Sequence, residues 1–167
     1  MRIAPPLLRR SLLYLPLVLL LGCQHDPWAN RFATSQPSEK EVAGTYAVDA
    51  ASLKRRINLP MTNSVLPIDA SARIVLSNDH TAAFVNVPED YQGAKPCSVT
   101  GRGSWTLGKN GSFSVVKARI SNEETNSPCK GDFGYELMLY GKKSPYKLHV
   151  TIGDPDHGYA VQFEKQP

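Results

Sequence analysis

Two carboxylates and an imidazole fall within six residues at Gly153-Asp154-Pro155-Asp156-His157-Gly158. Such a grouping could bind a cation or perform acid–base work, with Asp154, Asp156 and His157 as the working groups of a hydrolase. Every residue in the stretch is also a favoured turn former, and it separates two runs of alternating polarity. The local reading is therefore a hairpin loop. A calcium loop would require oxygen ligands beyond these two carboxylates, and none follows nearby in the chain. His80 falls in a turn and His149 on the polar face of a strand, so both read as surface histidines. No Gly-x-Ser-x-Gly elbow, His-Glu-x-x-His helix or glycine-rich phosphate loop occurs. The expectation is a protein without catalytic residues, cofactor or metal.

The remaining reactive side chains are three cysteines, Cys23, Cys97 and Cys129. Cys23 ends an apolar run that begins after Arg2, Arg9 and Arg10. A basic start, a short apolar core and small residues before the cut make a secretion signal. The stretch Leu12 to Gly22 is too short to span a bilayer, reaching roughly 16 Å at about 1.5 Å per residue. A membrane core is about 30 Å thick. Pro16 interrupts the run as well, and Gln24, His25 and Asp26 end it.

Leu20-Leu21-Gly22-Cys23 resembles the lipobox of bacterial lipoproteins, position by position. The resemblance implies cleavage before Cys23, acyl chains on Cys23, and, with Gln rather than Asp at position 24, passage to the outer membrane on its periplasmic face. Each buried methylene contributes about 0.8 kcal/mol, and two or more chains anchor stably. The membrane is thus the first expected partner, reached through lipid alone.

Export also places Cys97 and Cys129 in an oxidising compartment, where an even pair most simply bonds to itself. No His or acidic residue lies at a zinc-type spacing from either one. Removing residues 1–22 leaves 16 basic and 15 acidic side chains, so the precursor's +4 reduces to +1. A nucleic-acid partner is not expected: the one basic cluster, Lys54-Arg55-Arg56, is short and reads as solvated surface. Residues 24 to 40 are polar, contain Pro27 and Pro37, and carry no period of 2 or 3.6. Residues 23–41 are accordingly expected to form a lipidated flexible tether holding the domain roughly 20 to 25 Å from the lipid. Trp28 and Phe32 stand out in it, with the membrane interface and the domain surface as open alternatives.

Residues 42–167 are expected to form the domain. Apolar residues recur there at every second position in short runs broken by Gly, Asn and Pro, the mark of antiparallel strands. The runs are 42–48, 72–76, 82–87, 98–107, 112–120, 133–140, 146–152 and 159–164, with a helical segment inside 50–58 that Ser52 would cap. Asn110-Gly111 signals a tight hairpin, and Gly101 and Gly103 signal a weakened strand or a bulge. The fold class is all-β: one antiparallel meander of about eight strands forming a barrel or strongly curved sheet. This layout resembles the small barrel domains of bacterial envelope lipoproteins and, more loosely, lipocalin-type barrels. The short pieces Gly44-Thr45-Tyr46 and Gly103-Ser104-Trp105 carry that likeness, although the lipocalin Gly-x-Trp belongs to the first strand and here lies mid-chain.

The loops Pro88–Gly93 and Ser121–Lys130 are expected at one end of the barrel, tied by the cysteine bond, either as plain connections or as a recognition surface. The functional expectation is a lipid-anchored envelope lipoprotein with a binding or structural role, contacting another envelope protein. A barrel binding a small apolar ligand is the alternative.

Overall fold

The computed structural model describes residues 27–59, 64–89, 97–123, 129, 131–153, 156 and 158–167. Eight strands close into an antiparallel barrel. Its strands are β1 (Gly44–Val48), β4 (Arg73–Leu76), β5 (Thr81–Glu89), β6 (Cys97–Asn110), β7 (Phe113–Asn122), β8 (Asp132–Tyr140), β9 (Lys147–Thr151) and β10 (Ala160–Lys165). Each pairs with the next along this series, and β1 closes the ring by pairing with both β4 and β10. A small separate ladder joins β2 (Asn58–Leu59) to β3 (Ser64–Val65). Closure leaves no strand of the main sheet with an unpaired edge.

The alternation in the sequence is the alternation of the wall. Tyr46, Ile74, Phe84, Trp105, Ala118, Tyr135, Leu137, Leu139, Leu148, Val150, Val161 and Phe163 all belong to the buried core. Their registers interlock: Ile74 faces Phe84, Ala118 faces both Trp105 and Tyr135, and Leu148 faces both Leu139 and Phe163. Large aromatic side chains therefore occupy the interior, with Tyr46 and Phe163 wholly buried and Trp105 and Phe84 nearly so. Burial of one such side chain contributes about 1.5 to 3 kcal/mol.

Several local features differ from expectation. The bulge lies in β5, between Phe84 and Val87, rather than at Gly101 or Gly103. Asn86 adopts φ 50° there, and its amide donates to Thr100 Oγ1 at 3.0 Å. Gly101 and Gly103 are required for a different reason. A Cβ on either would sit 1.9 Å from the Ser121 carbonyl oxygen or 1.8 Å from that of Arg119. The helical segment shrinks to α2 (Ala50–Leu53), and Asp49 caps it instead of Ser52, accepting the Ser52 amide at 2.7 Å. A carboxylate one residue before the helix suits that role.

The largest departure is at the N-terminal side. The stretch expected as tether is packed from Trp28 onward, with Phe32, Ala33 and Pro37 buried. A 3-10 turn at Ala29–Arg31 leads to a bridge between Phe32 and Tyr140. Ala33 then inserts its backbone where β7 and β8 splay apart, donating to the Leu139 carbonyl and accepting from the Ser114 amide, both at 2.8 Å. Helix α1 (Glu39–Val42) follows, with the Ser38 amide donating to Glu41 Oε2 at 2.8 Å. Val42 is fully buried and accepts a 2.5 Å hydrogen bond from the Tyr46 hydroxyl. The segment lacks periodicity because it fills gaps in a preformed wall rather than making a face of its own. The remaining residues of the expected tether, 23–26, lie outside the described residues, Cys23 among them, as does the signal segment.

Candidate functional site

Of the acid–base trio, Asp154 and His157 lie outside the described residues. Asp156 is exposed. Gly153 and Gly158 flank the stretch at φ 66° and 65°, and the Ile152 amide donates to the Tyr159 carbonyl at 2.9 Å. Those are the constraints of a hairpin connection. Among the described residues, no group of three His, Cys, Asp or Glu side chains is placed to hold a metal ion.

The histidines do not converge. His80 sits in the β4–β5 turn at φ 65°, with Nε2 3.6 Å from Glu39 and its ring 5.7 Å from that of Trp105. His149 lies on β9, with β10 and β1 between it and β4 around the ring. Its expected exposure is overturned: it retains 1% of its accessible surface. It does project from the outer wall, but the N-terminal segment covers it. Phe32 packs edge-on at 5.0 Å, Trp28 lies 5.5 Å away, and Tyr140 stacks at 6.0 Å. Trp28 is fixed in turn by Nε1 donating to the Gly158 carbonyl at 3.2 Å, and the Arg55 guanidinium lies 5.7 Å from its ring centre. Gln162, which strand alternation assigns to the outer face of β10, is also buried because α2 packs over it, where the Ser52 hydroxyl accepts the Gln162 backbone amide at 2.9 Å.

Cys97 and Cys129 are bonded, with Cα atoms 6.1 Å apart. The link fastens the loop after β7 to the start of β6, at the end of the barrel where Glu89 pairs with Cys97. The Asn122 side-chain amide also donates to the Cys129 carbonyl, so the loop's return is held by more than sulfur. Pro88 and Glu89 are described at this end, whereas residues 90–96, 124–128 and 130 are outside the described residues.

Beneath this end lies a poorly satisfied polar atom of the core. The Tyr135 hydroxyl is buried, with no partner in good hydrogen-bond geometry. Phe84 packs 4.9 Å from its ring. Burial pushes the phenol's pKa well above its usual value, and the Glu89 carboxylate raises it further by its charge and a poorly aligned contact. Tyr135 thus stays protonated and cannot serve as a base near neutral pH.

Outside the barrel, an open groove of about 460 Å³ runs over β6, β7 and β8. Ser104 and Thr106 form one side, Lys117 and Arg119 the floor, and Gly134 and Glu136 the other side. Lys117 Nζ and Glu136 Oε1 pair at 3.1 Å across it, both about half exposed. Gly134 leaves a gap in the third strand, since a Cβ there would meet nothing within 4 Å. The sequence pattern of these strands gave no signal for the groove. The missing side chain at Gly134 opens one side of it.

Comparison with protein families, curated proteins and solved structures finds no match in any of the three. Among the described residues no helix is long and apolar enough to cross a membrane.

Proposed function

We propose that this protein is a lipid-anchored envelope lipoprotein that acts without catalysis, its barrel serving as a rigid platform that contacts another envelope protein. One observation carries the choice between platform and ligand carrier. The inward positions hold large, fully buried side chains such as Trp105, Tyr46, Phe84 and Phe163, and an open concavity among the described residues lies on the outer wall over β6–β8. A carrier of small apolar ligands needs an apolar cavity of roughly 300 Å³ or more. The outer groove is instead polar and of mixed charge, suited to a protein surface with complementary charges. Periplasmic placement at the outer membrane follows from the lipobox resemblance, with Cys23 as the acylated residue.

The test is photo-crosslinking in living cells, with the probe at Thr106 or at exposed Ser112 of the β6–β7 turn. Capture of a discrete envelope protein from position 106 and not from 112 is the expected result. Equal capture from both positions, or capture of lipid or small molecules alone from 106, overturns the platform reading.

A further inference from the structure

The N-terminal segment fixes where a lipid on Cys23 must sit relative to the barrel. Only residues 24–26 separate Cys23 from Pro27, so the two are at most about 14 Å apart whatever path the chain takes. Pro27 is itself placed against the barrel: a Cβ on Gly158, in the β9–β10 connection, would come within 2.9 Å of its ring. The anchor point therefore lies beside this end of the barrel, not a flexible coil's length away.

That same spot carries the basic cluster read from sequence as solvated surface. Arg55 reaches across Trp28 and donates from Nη1 to the Ala160 carbonyl at 3.0 Å, which fixes the cluster next to the chain's entry. Lys54 and Arg56 on either side are exposed. Leu53, the last residue of α2, and Val65, in strand β3 of the small ladder, are two of the three exposed large apolar residues among the described ones, at 40% and 41% exposure. Of the nearby described carboxylates, Asp49 is buried against Lys147 and Asp156 is exposed. A mature chain of near-zero net charge thus gathers three cations, exposed aliphatic groups and a half-buried tryptophan around its lipid entry point.

We infer that Leu53, Lys54 and Arg56, with Arg55 and Trp28 behind them, form a surface that lies on anionic phospholipid headgroups, so that the barrel is held in one orientation on the membrane. The inference rests on the acylation of Cys23. Lysine and arginine near an anionic leaflet bind it electrostatically, while tryptophan and leucine suit the headgroup boundary. The acyl chains supply attachment, and the patch supplies orientation.

The experiment uses the full processed protein purified from membranes, with acylation first established by mass spectrometry. A fluorescent amino acid is placed at Leu53 or, at the opposite end of the barrel, at Ser112. The protein is reconstituted into vesicles of phosphatidylcholine with or without phosphatidylglycerol, each containing a headgroup quencher. Quenching at 53 that exceeds quenching at 112, and that grows with phosphatidylglycerol, is the expected result. Lys54→Glu and Arg56→Glu, both at exposed positions, should each reduce the patch-down population by roughly fivefold. Absence of acyl chains overturns this inference and the lipoprotein reading together. Acylated, vesicle-bound protein that is quenched equally at 53 and 112, or that ignores phosphatidylglycerol and both substitutions, overturns the orientation alone. Protection at 53 that follows protein density instead of lipid charge assigns the patch to a second copy and also overturns it.

Discussion

The Asp49 carboxylate meets the Lys147 ammonium at 3.0 Å, joining the residue just after β1 to the start of β9 across the intervening strand β10. Asp49 also accepts the Ser52 amide and so caps α2. Burial opposes its ionisation, but hydrogen bonds from Ser52 and the charge and hydrogen bond of Lys147 outweigh that, leaving the carboxyl below its ordinary value of 3.8. A carboxylate with a depressed folded pKa stabilises the fold above its unfolded value. That contribution is lost as pH falls through the lower, folded value.

Asp49→Ala removes cap and ion pair together and should destabilise the barrel by about 2 kcal/mol. Asp49→Asn keeps an acceptor at the cap and should cost roughly half as much. Urea unfolding measured from neutral pH down through pH 3.8 and below checks both sign and window. The native protein should lose stability more steeply on acidification than Asp49→Asn.

The disulfide closes a loop between residues 32 apart in the chain. In the chain-entropy account such closure contributes about 3 to 4 kcal/mol. Cys97 and Cys129 lie at the rim, while the interlocked core registers run through the barrel below them. Reduction, or the paired change to serine, should therefore lower the unfolding free energy by that amount, read from the denaturant midpoint and slope, while leaving the far-ultraviolet β signature intact. Loss of the β signature on reduction at neutral pH would mean that the bond specifies the fold instead of reinforcing it.

Much of this architecture is legible in the residues, and the reason is specific. Leu137, Leu148 and Val161 announce their strands because one wall face is dry and the other polar, a contrast that period 2 carries directly. His149 and Gln162 were unreadable by the same rule, which assigns a side chain to a face and says nothing of what later covers that face. The cover itself left two signs in the sequence: Ser38 followed three residues later by Glu41, and two aromatics, Trp28 and Phe32, in otherwise polar chain. The cysteine pairing was available from compartment and parity. The outer groove was not, because it depends on the register that places Gly134 beside Arg119 and Glu136 beside Lys117.

Glycines within the strands separate steric need from mere tolerance. Gly103→Ala would drive a Cβ to 1.8 Å from the Arg119 carbonyl oxygen, which only separation of β6 from β7 can relieve. A loss of about 3 kcal/mol or more is expected. Gly134→Ala meets open space in β8 and should be neutral or stabilise by up to about 1 kcal/mol through the unfolded chain's lost freedom. Thermal unfolding of the two variants side by side is the check. Equal effects would show that β6 and β7 are not as closely apposed as the register requires.

Two buried phenols should respond with opposite signs to loss of one oxygen atom. The Tyr46 hydroxyl donates to the Val42 carbonyl at 2.5 Å, and burial alone pushes its pKa up. Tyr46→Phe strands that carbonyl in the core and should cost about 1 to 2 kcal/mol. Tyr46 also holds α1 in place, so hydrogen exchange at the Ala43 amide, which donates to the Glu39 carbonyl, should accelerate in the variant. Tyr135 presents the reverse case, because its hydroxyl is desolvated without a well-formed hydrogen bond in return. Removing a polar group whose desolvation is uncompensated lowers the energy of the folded state more than that of the unfolded one. Tyr135→Phe should therefore be neutral or stabilise the barrel by up to about 1 kcal/mol, read from the urea midpoint at constant slope. A destabilisation equal to that of Tyr46→Phe would instead reveal that Glu89 forms a full hydrogen bond to the phenol in solution.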